Sequence, residues 1–184
     1  MKRTLAPIIA LALLVLVFAA SAAQNDARLD GLFERLGSAA NPVEAGLVEE
    51  AIWQIWLISG EKHANRLMAR GIVAMDRGDN ATALAAFDEI VKFLPGFAEG
   101  WNKRATVRYL MARHEASLGD IERTLALEPR HFGALTGRGL VNLALGREEA
   151  ALKAFEAALR IHPRLPGIAG HIKALRDKLE GKAI

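Results

Sequence analysis

The sequence predicts an all-α fold, a solenoid of antiparallel helix pairs. Three observations predict it. Pro95, Pro129 and Pro163 stand 34 residues apart, and each closes a stretch with the same apolar pattern. Small and large residues recur at fixed offsets inside each stretch. Turn-forming residues, such as Arg77-Gly78-Asp79-Asn80 and Leu145-Gly146-Arg147, cut a stretch near its middle, so each unit holds two helices. A period of about 20–50 residues is the mark of stacked supersecondary units.

The chain opens with Lys2 and Arg3, then the apolar run Ile8 to Phe18, then Ala19-Ala20-Ser21-Ala22-Ala23 before Gln24. Basic, apolar and small-residue segments in this order predict a secretory signal peptide over residues 1–23. Ser21 and Ala23 suit a cut before Gln24; Ala20 and Ala22 suit a cut one residue earlier. An uncleaved membrane anchor is the alternative, but a span needs about 20 apolar residues and Pro7 shortens this one. The expected location is therefore the periplasm, with any membrane association through an uncleaved leader. Taking Lys2 and Arg3 from the 24 basic residues leaves 22 against 21 acidic ones, a net charge of +1. That balance speaks against a nucleic-acid partner. The C-terminal charges Lys173, Arg176, Lys178 and Lys182, with Asp177 and Glu180, read as a solvated helix face. The chain has no cysteine, so apolar burial alone must hold it together.

Residues 24–63 predict an N-terminal helix pair. Leu29, Leu32, Phe33 and Leu36 lie at helical spacing, and Asn41-Pro42 is a cap followed by a first-turn proline. A second helix follows from Val43 to Ile58. Counting back one period places Phe33, Gly37, Trp53 and Trp56 at key repeat positions, while Glu49 breaks the pattern. This pair is expected to be a degenerate fourth unit or a cap, with Trp53 and Trp56 gluing it to the first true repeat.

Three windows follow, residues 64–97, 98–131 and 132–165. Position 4 holds Leu67, Trp101 and Leu135; position 8 holds Gly71, Ala105 and Gly139. Position 20 holds Ala83, Ser117 and Ala151; position 24 holds Phe87, Ile121 and Phe155. Position 27 holds Ile90, Thr124 and Ala158. Small residues at 8 and 20 let two helices cross closely, and the residue at 24 fills the gap. Proline at 32 ends the second helix, because it lacks an N–H and disfavours helix before it. Residues 166–184 predict a capping helix with Ile168, Ile172, Leu175 and Leu179 on one stripe.

This pattern resembles the tetratricopeptide repeat, and residues 147–163, REEAALKAFEAALRIHP, follow it closely. The second unit departs at positions 20, 24 and 27. The resemblance implies a small exported bacterial protein of the family, with a concave groove lined by the first helices of the units. Carried over by position, the groove residues are Met68, Ile72, Met75, Asn102, Thr106, Tyr109, Thr136, Leu140 and Leu143. The carboxylate-clamping mode of some family members is not expected, because Met68, Ile72 and Gly133 stand where its polar residues would be. The resemblance implies a non-catalytic adaptor or assembly factor that binds a peptide or helix in the groove. The alternative is a self-associating scaffold of the cell envelope, a homo-oligomer.

The residues themselves offer no chemistry. None of His63, His114, His131, His162 and His171 has metal-ligand spacing, and His131 and His162 are expected in exposed inter-unit turns. There is no nucleophile motif and no phosphate loop, so no enzyme, metal or cofactor is expected. Arg70, Arg104 and Arg138 recur at position 7, where an arginine would lay its stem over apolar surface and reach Asp88, Glu89 or Glu122.

Overall fold

The computed structural model describes residues 23–182. The expected leader lies outside the described residues except for Ala23. After a short 3-10 turn at Ala23–Asn25, the helices are α1 (Arg28–Ser38), α2 (Pro42–Trp56), α3 (Lys62–Asp76), α4 (Asn80–Phe93) and α5 (Ala98–Leu110). Then come α6 (His114–Leu127), α7 (Phe132–Ala144), α8 (Glu148–Ile161) and α9 (Ile168–Lys182). The pairs α3/α4, α5/α6 and α7/α8 pack as antiparallel units and stack through α4–α5 and α6–α7. The helix α9 lies on α8, as expected of a cap, with Ile168, Ile172 and Leu175 buried.

Two local devices repeat in every unit. The first is the crossing. A Cβ on Gly71 would sit 2.5 Å from the Phe87 ring, and one on Gly139 would collide with Phe155. In the middle unit the aromatic is replaced by the smaller Ile121, buried, and position 8 tolerates Ala105. There Ser117 also donates its hydroxyl to the Ala105 carbonyl at 2.8 Å. The second device is the turn between paired helices. Asp79 N–H bonds Ala74 O, Arg113 N–H bonds Arg108 O and Arg147 N–H bonds Asn142 O, a six-residue closure at all three. That closure needs a left-handed residue just past the helix. Gly78 and Gly146 supply it at φ +73 and +71, and Ala112 supplies it at φ +56 without being glycine.

The N-terminal pair departs from expectation. It does not stack in front of α3. It forms a hairpin that runs along the edge made by the three inter-unit turns. At the first turn, Gln24 donates to Gly96 O at 2.7 Å and accepts from Ala98 N–H. At the second, Arg130 pairs with Asp30 at 2.7 Å and lies over the Phe33 ring. At the third, Arg164 donates to the carbonyls of Ala39 and Ala40, both at 2.8 Å, and His162 meets Glu49 at 3.1 Å. Leu29, Leu36, Val48, Ile52, Ile55 and Trp56 share one buried cluster with Phe132 of α7. So Trp53 and Trp56 glue the hairpin to the junction of the second and third units rather than to the first. The hairpin's apolar stripe finds a deeper apolar neighbour on that edge than on the end of the stack.

Candidate functional site

The inter-unit turns expose the cause of this docking. Position 34 of the repeat holds Phe97, His131 and Leu165, so His131 occupies a core position, and its exposure is 0%. His162, expected on the surface, is 1% exposed. The turn is buried because the hairpin covers it. Comparing position 34 across the three units would have revealed the burial of His131, since the other two residues there are large and apolar.

His131 caps α7: its Nδ1 accepts the Ala134 N–H at 3.1 Å. Its proton therefore sits on Nε2 and is donated to Glu99 Oε2 at 2.9 Å. Glu99 is buried, and it also receives Asn102 Nδ2 at 3.0 Å and faces Lys103 Nζ at 3.2 Å. Burial opposes its charge, but the His131 bond, Lys103 and Asn102 outweigh burial and hold the carboxyl below the usual carboxylate range. Trp56 stacks on the His131 ring at 4.0 Å and 11°. Trp53 stands edge-on to both His131 and Phe132.

The groove residues fall into three groups. Asn102, Thr106, Tyr109, Thr136 and Leu140 line one pocket of about 170 Å³ between α5 and α7. The Thr136 hydroxyl is buried there with no hydrogen-bond partner. Thr106 is exposed at the rim and bonds the Asn102 carbonyl at 3.0 Å. Gly133 closes one end, and a Cβ on it would lie 2.6 Å from Trp53, so the hairpin abuts the pocket. The second group corrects the sequence reading. Met68 is 2% exposed in the core of the first unit, with Ala23 of the N-terminal turn in the same cluster, and Ile72 and Met75 pack against it. Leu143 forms the third group: it packs into the cluster with α9.

Of the recurring arginines, Arg104 serves packing, while Arg70 and Arg138 are exposed. Arg104 makes bonds to Asp120 at 2.7 and 3.0 Å and to Asp88 at 2.8 Å, and it lies over Trp101. It reaches the expected Asp88, tying the second unit to the first, and takes Asp120 of its own unit rather than Glu122. Among the described residues, no group of three or more His, Cys, Asp or Glu side chains is placed to hold a metal ion.

Helix pairs locked by small residues and stacked side by side define a helical-repeat protein. The chain belongs to the tetratricopeptide repeat family. Residues 102–166 match the tetratricopeptide repeat. A TPR repeat-containing protein of Rhizobium etli is 36% identical over 154 residues, covering 84% of this chain and 76% of that protein. Tetratricopeptide repeat protein 36 of Bos taurus is 36% identical over 104 residues, covering 54% of this chain and 55% of its own length. Among solved structures, the first TPR of Spaghetti (RPAP3) bound to the HSP90 peptide SRMEEVD is similar in fold. Its TM-score is 0.63 at 19% identity, covering 65% of this chain and 94% of that one. MamA is similar at TM-score 0.58 and 20% identity, covering 84% of this chain and 81% of that one.

Proposed function

We propose that the protein is an exported adaptor or assembly factor that holds a peptide or helix of another protein against α5 and α7. The carrying observation is the pocket of about 170 Å³ with its buried, unpartnered Thr136 hydroxyl. Its lining is mainly apolar and its size suits one side chain rather than a whole small-molecule ligand, which takes about 300 Å³ or more. An anchor side chain entering between Tyr109 and Leu140 would bring a partner carbonyl near the Thr136 hydroxyl. A buried hydroxyl without a partner is costly, and the ligand's backbone would satisfy it. The RPAP3 domain, similar in fold, is bound to a peptide, which supports a peptide ligand here. The leader pattern supports export to the periplasm.

Selection of random peptides displayed against the purified protein tests the groove. Enriched peptides should share one large apolar residue and lose at least tenfold in affinity to Thr106→Arg, which blocks the rim. No enrichment, or affinity indifferent to Thr106→Arg, would overturn the groove reading. A second reading, self-association, is favoured by the exposed apolar face of α2.

A further inference from the structure

We infer that the outer face of α2 is a contact surface for a second copy of this chain, with the two helices antiparallel about a two-fold axis near Ala51. Apolar residues lie on two faces of this helix, and on the outer face exposed Glu50 and Gln54 stand among them. Val48, Ile52, Ile55 and Trp56 are buried toward the hairpin core, yet Val43 is 74% and Leu47 70% exposed, and Ile58 just beyond the helix is 58% exposed. The array covers one face of α2, and the other remains open.

The open face is self-complementary. Its N-terminal end projects Val43 and Leu47. Its C-terminal end borders a depression of about 1160 Å³, lined in part by Leu32, Ala51, Ile55, Leu57 and Ile58. Leu47 and Ile55 flank Ala51 equally, about 6 Å to either side along the axis. A closed two-fold pairing makes residue i meet j while j meets i. Leu47 of one copy then enters the depression beside Ile55 of the other, and the reverse contact forms at once. Ala51 at the crossing, and Gly46, where a Cβ would meet nothing within 4 Å, leave room for close approach. The charges agree: Arg35 stands on the rim of the depression, and Glu50, which accepts from Gln54 Nε2 at 3.1 Å, stands one turn from the projecting Leu47. Two-fold pairing brings these opposite charges toward each other. Arg28, also on the rim, is already bound to Asp26 at 2.7 Å.

This inference rests on the self-association reading and is independent of the groove. Light scattering on the chain as recovered from cells, from low micromolar to hundreds of micromolar, tests it. A dimer is expected. Leu47→Glu and Ile58→Glu should each raise the dissociation midpoint at least tenfold with an unchanged melting temperature. Arg35→Glu and Glu50→Arg should each weaken the dimer, and the double exchange should restore it to within threefold. A monomer throughout overturns the inference, whether the leader or a foreign partner covers the face, and leaves groove binding untouched. A dimer insensitive to Leu47→Glu, or a double exchange no tighter than the single ones, overturns it too. Thr106→Arg should not shift the midpoint, so failure here and failure of the groove are told apart.

Discussion

Ala112 holds a backbone conformation that its two counterparts leave to glycine. Its φ of +56 costs an alanine about 1 kcal/mol in steric contact. Ala112→Gly relieves this, partly offset by the greater freedom of glycine in the unfolded chain. The variant should be more stable by about 0.5 kcal/mol, raising the melting temperature by roughly 1–2 °C. A thermal scan that shows a lower melting temperature would contradict the shared turn geometry. Glu99 makes a second residue-scale case. Its carboxyl is held below the usual range by His131, Lys103 and Asn102 against the opposing effect of burial. A depressed folded pKa means that its stabilisation is complete above the unfolded value and is lost as pH falls through the folded one. Acidification below the usual carboxylate range should therefore lower the melting temperature, and Glu99→Gln should flatten that dependence. At neutral pH the same substitution should cost about 3 kcal/mol, because a buried pair loses one partner. Denaturant unfolding at several pH values measures both effects.

The decisive element is the α1–α2 hairpin. Its helices were legible in the sequence: Leu29, Leu32 and Leu36 lie on one stripe, and Asn41 caps α2 by accepting the Glu44 N–H. Its docking place was not. Counting back 34 residues put Trp53 and Trp56 in repeat register, but register describes a helix relative to its own pair. It says nothing about a surface more than 70 residues ahead. Trp56 binds that surface through His131, Phe132 and the shared cluster. Trp56→Ala should cost about 3–5 kcal/mol and release the hairpin while the repeats persist. Hydrogen exchange should then show lost protection in α1 and α2 and little change in α3 or α4. Uniform loss across the chain would mean that the hairpin is integral to the stack rather than laid along it.

At the scale of the molecule, three stacked units contact mainly their neighbours, as solenoids do. The hairpin alters that arrangement. Gln24, Asp30, Glu49 and the carbonyls of Ala39 and Ala40 touch all three inter-unit turns in succession, so one segment spans the length of the array. It also borders the pocket between α5 and α7 through Trp53 and Gly133, and it carries the open face of α2. The pocket and the open apolar face thus lie on one side and the other of the same hairpin.

By itself the sequence determined the helix pairs, their period, the crossings at Gly71, Gly139 and their partners, and the cap at α9. These rest on contacts within one unit or between adjacent units, where spacing along the chain is spacing in the fold. The repeat register also picks out Asn102, Thr106, Tyr109, Thr136 and Leu140, which line one pocket in the fold. Only the tertiary structure decided that Met68 is core, that His162 is buried, and that α2 shows one apolar face to the array and another outward. Those outcomes depend on where a distant hairpin comes to rest. That is settled by which apolar surface buries its stripe best, a comparison between folded surfaces that no local period encodes.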